Sequence, residues 1–341
     1  MDYLALADWD GMTVLEVMKK ELGLSSAYIK HLKFIPNGIM IGGSHVTVRA
    51  KIKEGDILSL ALEDGEGEGE EKILPSDIPI SVIYEDGDVA VPNKPSGMPT
   101  HPSHGHYGDT LANALAFRYG SPFVFRPVNR LDRNTSGLVL IARNRRAAAR
   151  LADSMRQGRI SKLYLAVLNG VLPHCERSQG EGADPLWALV GIIDTHMRRT
   201  AQSIIVREVC SPEDGGDRAL TYYLPISVRG GKTLAVAMPV TGRTHQLRVH
   251  FAHLGCPLEG DDMYGAPSDM IDRHALHAMA LGFPHPSTGE YMRLEAPLHP
   301  DMDALVSRLF GACGDDTELW EKITLGAHRL RAFAEKQINI K

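Results

Sequence analysis

The segment RPVNRLDRNTSGLVLIAR, residues 126–143, joins a polar loop to an apolar run. It places one carboxylate, Asp132, between Arg130 and Arg133, and its Gly-containing loop leads into Leu138–Ala142. We predict that this apolar run forms one buried strand. A carboxylate between two arginines contributes little to a core, but it is suited to act as an anionic nucleophile near a polyanion. An isolated Asp at such a junction is more often a turn or ion-pair residue, so the rest of the chain must decide.

The composition is that of an ordinary soluble globular protein, with 43% hydrophobic and 23% charged residues. A chain of 341 residues is long enough for two domains. No run approaches the roughly 18 apolar residues of a membrane span, and the acidic N-terminus is unlike a signal peptide. The four cysteines form no CxxC pair, which argues against a zinc ribbon or a disulfide framework. We therefore expect a cytoplasmic protein that does not bind membranes.

The basic residues are clustered, although the net charge is −5. Residues 61–72 hold six acids and one lysine, a local charge of −5, so the remainder is neutral. Residues 126–164 carry ten Lys/Arg against two Asp, and residues 11–60 carry seven Lys/Arg against four acids. Clustered basic charge matters more for phosphate binding than the total, so this distribution favours a nucleic-acid partner. Either block alone is also compatible with a solvated helix face.

Residues 1–62 are predicted to form a small α/β domain. Apolar spacing indicates a helix from Thr13 to Leu22 that ends at Gly23, and Ser25-Ser26 are suited to cap a second helix. The segment that follows, residues 38–48, is typical of strand, tight turn and strand, with Val46–Val48 as the returning strand.

A flexible linker and a second, larger domain are predicted to follow. The alternating Gly and Glu of residues 63–76 have no apolar face, and residues 77–341 form the second domain. The predicted elements of this domain are a hairpin turn at 85–88, a helix from Thr110 to Arg118 capped by Asp109, a helix over 144–157, a strand over 161–168, a strand from Leu276 to Phe283, and two helices within 301–341.

In the strand over 161–168, side chains alternate between the two faces, so Lys162 and Tyr164 are predicted to lie on one face.

A second polar block, VTGRTHQLRVHFAHLG at residues 240–255, is predicted to turn at Thr241-Gly242 into a helix. Arg243 and Arg248 lie near the start of this helix, a position suited to an anion. The histidines of the block suggest a metal, as do those at 101, 104 and 106, but the H-E-x-x-H pattern is absent and no acid lies within the block. We expect no metal.

Together these blocks resemble the RluA-type pseudouridine synthases. The resemblance covers roughly residues 78–300, and its motifs keep their order and spacing. Two departures are visible: Asn129 replaces the usual His before the RLD motif, and Pro92 changes the usual VNKP to PNKP. The matching pieces are VPNKPSG at 91–97, RLDRNTSG at 130–137, KLY at 162–164, GRTHQLRVHFAHLGCPLEGD at 242–261, LHA at 276–278 and HPSTGE at 285–290.

The small domain resembles the alpha-L, or ribosomal-protein-S-four-like, RNA-binding motif over about 50 residues. Its hairpin has Ile41-Gly42-Gly43 where Val-Asn-Gly is usual. A generic small α/β module is the alternative.

The family resemblance implies an α+β fold: a large, mainly antiparallel sheet with flanking helices and a central cleft, preceded by a small α/β RNA-binding domain. It also implies an isomerase that works on RNA without a cofactor. By this resemblance Asp132 is the catalytic carboxylate, which can attack the anomeric carbon or remove a ribose proton. Arg248 would pair with Asp132 and keep it ionised, and Tyr164 would pack on the target base. Because the base must be flipped out of folded RNA, Arg130 would occupy the gap, and Arg133, Lys162 and Arg243 would contact the RNA.

The expected substrate is structured RNA, and the basic small domain before the catalytic one favours ribosomal over transfer RNA. We expect a monomer without a nucleotide cofactor. Two alternatives remain open: a non-catalytic RNA-binding or assembly protein that keeps the fold, and a glycoside hydrolase. The hydrolase would need a second carboxylate near Asp132, which the RLD loop does not supply.

Overall fold

The computed structural model describes residues 2–22, 24, 29–30, 32–61, 73–172, 189–312 and 318–339. The helix predicted to follow Ser25-Ser26 and most of the predicted linker lie outside these residues. Within them the strands form two sheets, one of four strands near the N-terminus and one of twelve.

The four-stranded sheet has its own apolar core, which includes Val14, Met18, Leu32 and Leu58. In chain order its elements are β1 (Asp2–Leu4), helix α1 (Val14–Glu16, continued by one π-helical turn over Val17–Glu21), β2 (Ile39–Ile41), β3 (Ser44–His45) and β4 (Ile57–Leu60). The strand order is β1-β4-β2-β3, and every pair is antiparallel.

The first predicted helix is present and has a reciprocal N-cap between Thr13 and Glu16. The prediction for the returning strand was two residues too late. Gly42 and Gly43 adopt φ of 54° and 81°, which lets the chain reverse in two residues, so Ser44 already pairs with Ile41.

The twelve-stranded sheet and its helices occupy the rest of the described chain. Their elements in chain order are β5 (Ser81–Glu85), β6 (Val89–Lys94), α2 (Leu111–Tyr119), β7 (Arg126–Pro127), β8 (Ser136–Leu138), β9 (Ile141–Ala142), α3 (Arg145–Arg156), β10 (Ser161–Asn169), β11 (Gly191–Arg199), β12 (Arg207–Cys210), β13 (Asp217–Arg229), β14 (Lys232–Pro239), α4 (Gln246–His253), β15 (Leu276–Pro284), β16 (Tyr291–Glu295), α5 (Pro300–Phe310) and α6 (Glu318–Asn339).

The predicted fold class, α+β with a large and mainly antiparallel sheet, is confirmed. The strand order is β12-β11-β13-β14-β10-β15-β8-β6-β9-β7, with β16 on β15 and β5 on β6. Among the strand pairs of the described residues only β8 and β15 run parallel, with Ser136 opposite His277 and Gly137 opposite Ala278. This pair lies near the middle of the sheet, and β8 is the strand that directly follows the RLD loop.

Strand β10 separates two cores, because its side chains alternate between the two faces of the sheet. Leu163, Leu165 and Val167 belong to the core that α5 and α6 cover. Tyr164 and Ala166 belong to the opposite core, to which α2 and α4 contribute. Tyr164 therefore lies on the face that carries the GRTHQLR helix.

Three local predictions need correction. Thr110 rather than Asp109 caps α2, because its hydroxyl accepts from the amide of Asn113 while Asp109 contacts His106. The single strand predicted over Leu138–Ala142 is two short strands, since the Asn129 side chain bonds the amide of Leu140 between them. The helix predicted to follow Thr241-Gly242 begins only at Gln246.

The described end of the predicted linker is attached to the large domain. The amide of Ser76 donates to the carbonyl of Asn113, and the Asn113 side chain donates to the carbonyl of Leu74. Ile73 packs against the core on the Tyr164 side of the sheet. None of the helices in the described residues is both long and apolar enough to span a membrane.

Candidate active site

Asp132 and Arg248 meet, although they are 116 positions apart in the chain. Asp132 lies in the loop between β7 and β8, and Arg248 lies in the first turn of α4. The distance from Arg248 Nη1 to Asp132 Oδ2 is 3.9 Å. The Arg248 side chain is buried, whereas 26% of the Asp132 side chain is exposed. A carboxylate beside a buried cation therefore faces solvent and is accessible to a substrate.

Arg248 has a second and closer partner, Asp261, in the loop after α4. Its Nε donates to Oδ2 at 2.8 Å and its Nη2 donates to Oδ1 at 2.7 Å. Burial opposes the charge of Arg248, but the hydrogen bonds and charge of Asp261, together with Asp132, raise its pKa above the ordinary value. Asp261 is fully buried, and the same pair lowers its pKa against the effect of burial. Both groups therefore stay charged, and the guanidinium is held in one orientation.

Tyr164 is brought to the same site from β10. It lies at a bulge, where the pairing of β10 with β15 shifts between Leu163 and Leu165. The ring is buried, and burial, with a smaller contribution from the charge of Asp132, raises the pKa of Tyr164 above its ordinary value. The phenol therefore remains protonated at neutral pH and lies within electrostatic range of the carboxylate.

Lys162, two residues before Tyr164, presents a buried ammonium. Its Nζ lies near Gly242, where an added Cβ would be 3.7 Å away. The ammonium has no hydrogen-bond or ion-pair partner among the described residues, and burial lowers its pKa to about 8. An unpartnered cation between the KLY and GRTHQ motifs is suited to an anionic or oxygen-bearing ligand.

The loop that carries Asp132 is braced from one side by buried polar side chains. Lys94 Nζ donates to the carbonyls of Pro95, Met98 and Arg133, at 2.8, 2.7 and 3.0 Å. Burial lowers the pKa of Lys94 to about 7, although the three carbonyl acceptors favour the ammonium. Thr100 adds a second brace, since its hydroxyl donates to the carbonyl of Leu131 at 2.9 Å.

The other side of the loop is braced by residues 273–277. Arg273 Nη1 donates to the carbonyl of Asn134 at 3.0 Å, and Arg273 Nη2 donates to Ser136 Oγ at 3.1 Å. His274 bonds Thr135 at 2.8 Å. Gly137 must be glycine, because its φ is 115° and a Cβ would lie 2.3 Å from the carbonyl oxygen of Ala278. The backbone on either side of Asp132 is therefore held in one position.

The predicted RNA-contacting arginines divide into two groups. Arg130 and Arg133 flank Asp132 and are both exposed. Arg130 has no hydrogen-bond or ion-pair partner among the described residues, and Arg133 contacts His106 at 3.3 Å. Arg243 is also exposed, but it bonds the carbonyl of Arg218 and pairs with Asp217. Its side chain is thus directed to β13 and not to Asp132.

The histidines that raised the question of a metal have other contacts. His101 packs edge-on against Phe125, and His106 bonds Asp109. His250 bonds Thr195 and Thr221, and burial lowers its pKa to about 4. Within the described ranges, no three His, Cys, Asp or Glu side chains lie together in a way that could hold a metal ion.

Comparisons with known proteins agree on one family. The family model described as RNA pseudouridylate synthase matches residues 88–253. The uncharacterized RNA pseudouridine synthase YjbO of Bacillus subtilis (strain 168) is 36% identical over 298 residues, which cover 86% of this chain and 98% of the relative. This chain belongs to the RNA pseudouridine synthase family. It is therefore an isomerase that acts on RNA.

Two further similarities support this assignment. The ribosomal large subunit pseudouridine synthase D of Xanthomonas campestris pv. campestris is 37% identical over 252 residues, 69% of this chain and 71% of the relative. The solved structure of human RNA pseudouridylate synthase domain containing 1 superposes with a TM-score of 0.51 at 27% identity, covering 67% of this chain and 87% of that one.

The structure of this pseudouridine synthase contains site residues that the sequence analysis did not select. Asp261 and Lys94 lie inside quoted motifs, but neither was assigned a role. The acid pair Asp261-Asp262, which follows a basic helix, was the available signal for a counter-ion to Arg248. Arg273 precedes the LHA motif and had no signal of its own, because its contacts with residues 134 and 136 are long-range.

Proposed function

We propose that this synthase isomerises uridine in ribosomal RNA, with Asp132 as the reacting carboxylate and the target base flipped into the cleft. One observation supports this most strongly: the carboxylate of Asp132, the buried guanidinium of Arg248 and the buried ring of Tyr164 converge at the middle of the sheet. Each comes from a different motif of the sequence. A fold that kept only RNA binding would not require this charged group in its core.

Arg248 is proposed to hold its positive charge beside the reacting carboxylate. Asp261 holds two nitrogens of Arg248, which leaves Nη1 directed at Asp132. The cation therefore lies beside the carboxylate, and the 26% exposure of the Asp132 side chain admits a ribose. The carboxylate then attacks C1′ or removes the 2′ proton. On either route the C1′–N1 bond breaks and its electron pair goes to uracil. C5 of the turned base then bonds C1′, which displaces Asp132 or, on the second route, is accompanied by return of the 2′ proton. C5 finally loses its proton and N1 gains one, so the product is an isomer of the substrate.

Tyr164 is proposed to support the flipped base. Its ring is buried on the Asp132 side of the sheet, and its raised pKa keeps the phenol neutral. A neutral aromatic ring can pack on uracil without placing a second negative charge beside Asp132. Lys162, unpartnered in the same region, is proposed to contact an oxygen of the target nucleotide.

Base flipping is proposed because a base within folded RNA cannot reach a carboxylate that lies at a sheet centre. Arg130 is exposed, two residues from Asp132, and without a protein partner among the described residues. It is therefore free to enter the gap that the base leaves. Arg133, on the other side of Asp132, and the arginines of α3 are proposed to contact phosphates.

Ribosomal RNA is proposed as the substrate on two grounds. The relatives named ribosomal large subunit pseudouridine synthase D are 32–37% identical to this chain. The small domain, which we propose to be an alpha-L RNA-binding module, has seven Lys/Arg within residues 11–60, and all seven are exposed.

The test is to replace Asp132 and to map pseudouridine in RNA. Ribosomal RNA from cells that lack the protein identifies the missing position, and purified Asp132→Asn protein is then incubated with that RNA. We expect normal binding and no pseudouridine. Asp153→Asn, which changes an acid on α3 in the same basic segment, is the matched control and should remain active. Turnover by Asp132→Asn would refute the role assigned to Asp132. If rRNA from cells that lack the protein keeps all of its pseudouridines, ribosomal RNA is not the substrate.

A further inference from the structure

His245 lies beside the site, and none of the steps above uses it. We propose that His245 is a further substrate-contacting residue, which presents its Nε2–H to an oxygen of the target uridine next to Asp132. The inference rests on the proposed role of Asp132. It is carried by the backbone of His245, by its hydrogen bond to Tyr264, and by its proximity to Asp132.

The backbone of His245 is held in an uncommon conformation. Its φ is 59° and its ψ is 18°, the left-handed region that residues other than glycine rarely adopt. The turn is fixed by the buried Gln246, whose side chain accepts from the amide of Arg243 and the hydroxyl of Thr241 and donates to the carbonyl of Leu220. Such strain persists only where the surroundings impose it, and it is common at functional sites.

We assign the proton of His245 to Nε2 from the hydrogen bonds of Tyr264. The oxygen of Tyr264 accepts from the amide of Arg207 at 2.9 Å and lies 2.8 Å from His245 Nδ1. With that oxygen already accepting, its own O–H is free to donate to Nδ1. Nδ1 is then the acceptor, and Nε2 carries the proton. The Nε2–H has no partner among the described residues, so it is available to a ligand.

The imidazole is neutral when it makes this contact. Burial lowers the pKa of His245, and the cations Arg248 and Arg207 lower it further, while Asp132 and Asp261 act in the opposite direction. Contacts also place the imidazole near the proposed reacting carboxylate. His245 bonds Tyr264, the Arg248 guanidinium lies 5.0 Å from the centroid of that tyrosine ring, and Arg248 lies 3.9 Å from Asp132. His245 is thus a neutral donor in a fixed orientation beside the position where the C1′–N1 bond breaks.

This donor meets a chemical need of the reaction. When the C1′–N1 bond breaks, its electron pair moves onto uracil, and the negative charge spreads to the carbonyl oxygens O2 and O4. A fixed N–H donor stabilises that charge more than it stabilises the neutral base, so it lowers the barrier. His245 keeps its proton throughout, so its role adds no bond change to the steps at C1′, N1 and C5.

Two variants of equal backbone strain test the proposal. His245→Gln retains an N–H donor at about the distance of Nε2, and His245→Met has a similar length and no donor. We expect single-turnover pseudouridine formation by His245→Met to fall about 10²-fold, the effect of removing one charge-stabilising donor. His245→Gln should recover at least about a tenth of the wild-type rate, and both should bind the RNA as wild type does.

Equal rates for the Gln and Met variants would overturn the proposal, as would a loss of RNA affinity that matches the loss of rate. Tyr264→Phe gives a second test that leaves residue 245 unchanged. Without the phenol both tautomers become available, so the rate should fall about 2–5-fold at unchanged affinity, in proportion to the lost tautomer. A rate equal to wild type would count against the proposal. Activity of Asp132→Asn would instead show that the role assigned to Asp132, on which this proposal rests, is wrong.

Discussion

Arg248 is bound to Asp261 at two points, through Nε at 2.8 Å and Nη2 at 2.7 Å, and reaches Asp132 only with its remaining nitrogen, at 3.9 Å. Asp261 is fully buried, so this pair determines where the guanidinium lies. The contact between Arg248 and Asp132 is longer, and Asp132 is the partner that solvent can reach. The arrangement separates Asp261, which orients Arg248, from Asp132, which we propose to react.

Replacing Asp261 should therefore affect both folding and chemistry. In Asp261→Asn a buried guanidinium loses its charged partner, which costs about 3–5 kcal/mol of unfolding free energy. Because Arg248 is then free to move toward Asp132, the rate of pseudouridine formation should fall more than RNA affinity. Denaturant unfolding and single-turnover assays measure the two effects. Asp262→Asn, at the neighbouring exposed acid, is the control, and similar losses in both variants would contradict the prediction.

Tyr164→Phe tests whether the phenol takes part in the reaction. The ring that we propose to pack on the base is retained, so RNA affinity should change little. The hydroxyl is lost beside Asp132, so the rate should fall by about tenfold or more, within the range for a positioned proton donor or acceptor. A rate equal to wild type would restrict Tyr164 to packing. Tyr222→Phe, a buried tyrosine of the opposite core, serves as a comparison for effects on stability.

The spacing of apolar residues along each segment and the order of the motifs were sufficient to predict much of the fold and part of the site. Lys162 and Tyr164 share a face because strands alternate, and α3 forms where Ala and Arg favour a helix. The partners of these residues were not predictable in the same way. Lys94 and Arg273 hold the RLD loop through the carbonyls of Arg133 and Asn134, which are distant in the chain. A contact with a backbone carbonyl does not depend on the residue type of the acceptor, so the sequence gives no sign of it. The left-handed backbone of His245 is likewise imposed by tertiary contacts.

Three buried histidines should make the protein less stable in acid. Burial lowers the pKa of His250 to about 4 and those of His274 and His277 to about 3. The unfolded chain binds protons at these positions below a pH of about 6.5, whereas the folded protein does not. Stability is therefore lost as pH falls from about 6.5 toward these values, by about 1–2 kcal/mol for each histidine at pH 5. Denaturant unfolding at pH 7 and pH 5 measures the loss.

His274→Gln separates this effect from the titration of carboxylates. Glutamine does not titrate, and its amide can still meet the hydroxyl of Thr135, which His274 bonds at 2.8 Å. The difference in unfolding free energy between pH 7 and pH 5 should be smaller in this variant by the contribution of one histidine. An equal difference in variant and wild type would show that His274 does not contribute.

The small domain should contribute affinity through phosphate contacts. Its seven basic residues within 11–60 are exposed, and its core is separate from those of the large sheet. Deleting residues 11–60 should weaken RNA binding most at low salt and make the slope of log K against log salt less steep, by about 0.7–0.9 for each lost phosphate contact. Substituting Lys19, Lys20, Lys33 and Lys53 with Gln tests the charge in the intact chain. If neither change alters the slope or the choice of uridine, the domain does not take part in RNA recognition.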